Sequence, residues 1–153
     1  MGQSLTKRAE TAEYQYDFLE AADLYRKAYY KEKSYKNAIK VAYCNDQIHD
    51  YKGVVHWCNK AKSHHDLSTE NKLMYALALT QDQQYDSART WFKEHQKEDG
   101  NNDISRNYYS ALTEMKTNPI TTQFEVIKFH KSTISPEFSP VPFKDGIAFL
   151  IPH

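Results

Sequence analysis

The 153-residue sequence predicts an all-α array, three antiparallel helix pairs closed by a capping helix, with a β-hairpin-like extension at its C-terminal end. Three observations carry the prediction. A set of residue columns recurs at spacings of 33 and 34 residues, cap residues stand where helices would begin, and the texture changes at Asn118-Pro119.

The columns align on Phe18, Tyr51 and Tyr85. Nine residues before each stands an alanine: Ala9, Ala42, Ala76. Three residues after come Ala21, Val54 and Ala88, and seven after come Tyr25, Cys58 and Phe92. Ten after come Ala28, Ala61 and then His95, the one misfit. Small residues on one helix let its partner approach closely, and the bulkier residue one turn on fills the space beside them. One such pair has too little core alone, and stacking three buries a continuous one.

Helices are therefore expected at about 4–15, 18–31, 35–48, 51–63, 69–82 and 85–98. Ser34, Asp50 and Ser68 stand at N-cap positions, where a short side-chain oxygen accepts an otherwise unpaired backbone N–H. Glu98-Asp99-Gly100-Asn101-Asn102 is a stop, with Gly100 suited to the left-handed residue after a helix. A seventh helix over 103–116 has an apolar face of Ile104, Tyr108, Ala111, Leu112 and Met115, opposite Asp103, Arg106, Asn107 and Glu114. One apolar face and one wet face suit a terminal cap. After Asn118-Pro119 the run 124–129 is β-rich. Pro136, Pro140 and Pro142 forbid a helix. Val141 and Phe143, then Asp145-Gly146 as a tight turn, then Ile147, Phe149 and Ile151 read as a hairpin. The domains are thus 3–117, with repeats of about 3–33, 35–66 and 69–99 and the cap at 103–116, and 118–153.

Composition narrows the function. Lys+Arg and Asp+Glu both number 20, so the basic excess of a nucleic-acid binder is lacking. No apolar run reaches the roughly 20 residues that span a bilayer. Cys44 and Cys58 fit either two buried thiols or one bridge between neighbouring helices. His64-His65 point about 100° apart on a helix, and His56 with Cys58 has the wrong spacing for a zinc finger, so no metal site is expected. His95 is expected to be partly buried and hydrogen-bonded. No Gly-rich phosphate loop or nucleophile elbow is present, so neither catalysis nor a cofactor is expected. Tyr29-Tyr30 and Tyr108-Tyr109 are explained by helix packing at one member of each pair.

The columns over residues 3–98 resemble the tetratricopeptide repeat, with Leu5, Ala38 and Lys72 where that family favours Trp and without its Pro at the repeat end. The resemblance implies a right-handed superhelix that binds a protein or peptide along its concave side. A narrower resemblance runs through Ile134-Ser135-Pro136-Glu137-Phe138-Ser139-Pro140 and Phe143-Lys144-Asp145-Gly146-Ile147-Ala148-Phe149. These residues are similar to a segment of Bacteroidetes envelope proteins in which a WD-like β-propeller follows the repeats, often with a C-terminal peptidoglycan-binding domain of OmpA type. Some of those proteins serve type IX secretion and gliding. It implies a periplasmic protein at the outer membrane whose leader is removed, and an N-terminal fragment here, with any peptidoglycan association residing in absent domains.

On the first helices, the residues pointing away from the alanine columns are the candidate groove. They are Thr6, Glu10, Glu13 and Tyr14, then Ile39, Tyr43, Asp46 and Gln47, then Leu73, Leu77, Thr80 and Gln81. Tyr14, Ile39, Tyr43, Leu73 and Leu77 would make an apolar stripe with a polar rim, the usual anatomy of a binding surface. Two occupants fit it: an external peptide or helix, or the chain's own C-terminal segment, which would make the domain a structural unit orienting a propeller and anchor. The positions that clamp a terminal carboxylate in chaperone adaptors correspond by resemblance to Thr6, Glu10, Lys40, Glu70 and Met74. Only Lys40 there is cationic, so that activity is not expected.

Overall fold

The computed structural model describes residues 4–117, 138–143 and 146–150. Among the described residues seven helices run in order: α1 Leu5–Tyr14, α2 Phe18–Lys31, α3 Tyr35–Gln47, α4 Tyr51–Lys62, α5 Thr69–Gln81, α6 Tyr85–Glu98 and α7 Asp103–Thr117. Their ends fall within one residue of the sequence expectation.

The starts are set by capping, in an alternating pattern. First helices of a pair open on serine: Ser4, Ser34 and Ser68 accept the N–H groups of Lys7, Asn37 and Asn71. Second helices open on aspartate: Asp17 and Asp50 accept from Glu20 and Gly53. A Cβ on Gly53 would run into the Asp50 carboxylate and the Asn45 amide, so glycine keeps room for that cap. The third pair departs from the pattern, because Gln84 caps nothing.

The turns inside the pairs share one geometry. Tyr16, His49 and Gln83 have φ of 62, 59 and 60°, the left-handed conformation that closes a helix. The N–H groups of Asp17, Asp50 and Gln84 reach back to the carbonyls of Ala12, Asn45 and Leu79 at 2.8–2.9 Å. Each turn thus satisfies carbonyls that a helix end leaves open. The left-handed role expected of Gly100 is not taken: among the described residues no glycine has positive φ. Non-glycine residues carry that conformation at the three internal turns instead.

Each helix packs on the next in sequence, and α3 also meets α5, the nearest-neighbour stacking of a repeat array. Ala9, Ala42 and Ala76 are fully buried, as are Ala21, Val54, Ala88, Tyr25, Cys58 and Phe92. Burying a side chain as large as Leu79 or Phe92 stabilises by roughly 1.5–3 kcal/mol. Cys44 and Cys58 are separate buried thiols, which removes the bridge alternative.

The face of α7 differs from the expected one. Ser105 is fully buried, its hydroxyl donating to the Phe92 carbonyl at 3.1 Å. Tyr108 stacks on Phe92 with centroids 5.2 Å apart, and Leu112 is buried. Seating Ser105 there turns the helix about its axis, so Ile104 and Met115 stand 51% and 53% exposed and Ala111 is exposed too. A small polar residue with a buried hydrogen bond is invisible to a hydrophobic-periodicity reading.

The C-terminal unit contains β1 Phe138–Phe143 and β2 Gly146–Leu150, paired antiparallel. Phe143 faces Gly146, so Gly146 begins β2, while Asp145 of the expected turn lies outside the described residues. Pro140 and Pro142 sit in β1, tolerable because both strands of a two-stranded ribbon are edges. The predicted strand at 124–129, together with Pro136 and Ile151, lies outside the described residues.

Candidate functional site

Recesses border the first helices α1, α3 and α5. The N-terminal recess, about 340 Å³, is lined by Glu10, Glu13, Tyr14, Tyr16, Phe18, Lys40 and Tyr43. Tyr14 and Tyr16 are 86% and 81% exposed. Phe18 meets Tyr16 and Tyr43 edge-on at 6.0 and 6.1 Å. At its floor Glu13 accepts from the Tyr25 hydroxyl at 2.7 Å and from Lys40 Nζ at 2.6 Å. Burial, with Glu13 beside it, pushes the Tyr25 phenol well above its ordinary range. Lys40 also lies 5.6 Å from the Tyr43 ring centre. Glu10 has Lys36 at 3.6 Å. Charge in this recess is therefore matched by the protein's own side chains.

The central recess has two adjoining parts that share Asp46 and Leu77. One, about 330 Å³, is lined by Asp46, Thr69, Glu70, Leu73, Met74, Leu77, His95, Asp99 and Asn102. The other, about 290 Å³, is lined by Asp46, Gln47, His49, Tyr51, Leu77 and Gln81. Among the described residues neither part is lined by a lysine or arginine, and Asp46, Glu70 and Asp99 have no ion-pair partner. Burial pushes the Asp46 carboxyl above its usual range, with His49 opposing. Glu70, in the first turn of α5, is held below its range by its own backbone N–H and by Ser68.

His95 stands at the wall of this recess, 2% exposed, and its Nδ1 has no hydrogen-bond partner among the described residues. The sequence expectation of a partly buried, hydrogen-bonded ring is corrected in burial, which is nearly complete, and at Nδ1, which no partner among the described residues reaches. In the first two pairs this column holds Ala28 and Ala61, both buried. An imidazole in place of a methyl is a polar group in the core, and leaving one nitrogen unsatisfied costs stability.

The predicted groove residues divide between the recesses. Glu10, Tyr14 and Tyr43 fall in the first, and Asp46, Gln47, Leu73, Leu77 and Gln81 in the second. Ile39 and Thr6 are half-buried and line neither, Ile39 packing on the core beneath. The apolar stripe is thus interrupted on α3. Met74, named from sequence only as a clamp position that the resemblance supplies, lines the central recess together with Asp99 and Asn102, which were not anticipated. The latter two looked like a helix stop, and the signal that could have found the site was the misfit at His95.

Elsewhere cations gather, with Arg89 paired to Asp86 and Lys97 to Glu94. Arg89, Lys93 and Lys97 follow one another by one turn along α6 and line a recess of about 380 Å³ with Thr90, Glu94 and Tyr109. The Cys44 and Cys58 thiols are pushed up to about 12 by burial, so they stay protonated and unreactive near neutrality. Among the described residues no helix is long and apolar enough to cross a membrane.

No protein-family model matches the sequence, and no curated protein does. Among solved structures, the chain is similar to the crystal structure of the Sgt2 TPR domain from Aspergillus fumigatus, with a TM-score of 0.61 and 13% identity. The match covers 81% of this chain and 86% of that one. The all-α tetratricopeptide fold is shared; at this identity the likeness speaks to fold alone.

Proposed function

We propose that the helical array is a protein-interaction scaffold whose inner face receives a peptide or helix from another protein. The observation that carries the reading is the lining of the first helices. Leu73, Met74 and Leu77 remain only partly buried in the central recess, and Tyr14 and Tyr43 stand exposed in the N-terminal one, each recess rimmed by polar groups. Exposed aromatic and aliphatic anchors inside a recess are what a partner's side chains displace water from. It is a binding rather than a catalytic reading, because these side chains offer apolar area and fixed charge. A partner's terminal carboxylate is not the ligand proposed: Lys40 is engaged by Glu13, and Glu10 and Glu70 would repel it.

The similarity of residues 134–149 to Bacteroidetes envelope proteins adds a finer proposal, that the scaffold works in the periplasm at the outer membrane. There it would orient a propeller and a peptidoglycan-binding domain carried elsewhere in a longer chain.

The test is capture from native envelope extract with the full chain as bait, followed by the Tyr43→Ala/Leu73→Ala double variant. The reading expects a partner retained by the parent and lost by the variant, with melting unchanged. Loss of binding together with collapse of the fold would make these residues core and overturn it.

A further inference from the structure

Resting on that scaffold reading, we infer that the bound segment is basic, and that the central recess receives its lysine or arginine side chains between apolar ones. Three independent features converge on the recess. Asp46, Glu70 and Asp99 line it from α3, the start of α5 and the loop after α6, with no cation of this chain paired to them among the described residues. Leu73 and Leu77 lie between them, apolar surface of the kind that the methylene stem of a lysine or arginine covers while its head reaches a carboxylate. His95 adds a buried ring whose Nδ1 is unpartnered.

The contrast with the N-terminal recess argues that this vacancy of charge is particular to the site. There each glutamate has a lysine of the chain itself, Lys36 on Glu10 and Lys40 on Glu13. A carboxylate as desolvated as Asp46 is a cost to the free protein, and a bound ammonium or guanidinium would offset it. A metal ion is a poorer fit, since among the described residues no three His, Cys, Asp or Glu side chains are placed to hold one. Arg89, Lys93 and Lys97 lie on α6 outside the recess, so they do not neutralise its lining.

The experiment uses the full chain and fluorescein-labelled synthetic peptides of matched length, alternating leucine with lysine, with glutamate or with serine, read by fluorescence anisotropy. The leucine–lysine peptide is expected to bind best. The Asp46→Asn/Glu70→Gln variant, folded by its melting curve, should weaken it about tenfold or more, the loss expected for hydrogen bonds to a charged group. Neutralising an equal charge on exposed α2, Glu20→Gln/Asp23→Asn, should leave binding unchanged. Equal weakening by the α2 variant would reduce the effect to general surface charge and overturn the inference. So would equal or tighter binding of the glutamate or serine peptide. If no peptide binds while the Tyr43→Ala/Leu73→Ala variant still loses a captured partner, the basic-ligand inference falls and the scaffold reading stands. If that variant keeps its partner, the scaffold reading falls instead.

Discussion

The two recesses meet on α3, the N-terminal one lined from α1, α2 and α3 and the central one from α3, α5 and α6, yet they treat charge in opposite ways. In the N-terminal recess Glu13 is locked between the Tyr25 hydroxyl and Lys40, a knot that ties α1 to α2 and α3. In the central recess Asp46, Glu70 and Asp99 face the cavity beside an imidazole with an open nitrogen. A carboxylate whose partners are in the chain is structural. Asp46 is half-buried without one, a cost to the free protein, and Glu70 and Asp99 add unpaired charge around the same recess, which marks a place where something else completes the site.

The sharpest way to break this comparison is Glu13→Ala. It strips the acceptor from a fully buried tyrosine and leaves Lys40 alone, so urea unfolding should show a loss of about 1–3 kcal/mol. Glu70→Gln in the central recess should leave the melting curve nearly unmoved, because Glu70 is exposed and ties no two helices together.

A repair comes next in size. Gln84 stands where Asp17 and Asp50 cap the other second helices. Gln84→Asp should therefore add about 1 kcal/mol to unfolding free energy without altering peptide binding. Asp50→Ala should lose about as much.

Asp46→Asn tests the liability itself. The folded-state pKa of Asp46 is raised, so the native state holds its proton more tightly than the unfolded chain does. Stability then falls as pH rises through the carboxylate range, and the charged form is the unfavourable one near neutrality. The variant should melt higher than the parent at pH about 7 and lose that advantage below the ordinary aspartate value of about 4. The expected readout is Tm against pH for the two proteins. A variant that melts lower near neutrality would mean that Asp46 is compensated after all.

The fold was legible because a repeat writes its packing three times. Ala9, Ala42 and Ala76 each had to be small for the same reason, and all three are fully buried. The serine and aspartate caps could be read in the same way. What escaped were features without a hydrophobic signature. Ser105 holds α7 through one buried hydrogen bond, and Tyr16, His49 and Gln83 adopt left-handed backbone with no glycine to announce it. The groove was legible in part. Helical spacing singled out Tyr43, Leu73 and Leu77, which line recesses, but side-chain direction alone could not show that Ile39 packs on the core. The pairing of Glu13 with Lys40 joins residues far apart in sequence, so only the folded chain reveals which carboxylates stay uncompensated.

Amide chemical shifts followed by NMR as the leucine–lysine peptide is added to the full chain would test the inner-face account most directly. The account predicts perturbations clustered around Asp46, Glu70, Leu73, Leu77 and His95, saturating together. Perturbations centred on Arg89, Lys93 and Lys97, or spread evenly over the exposed faces of α2 and α4, would contradict it.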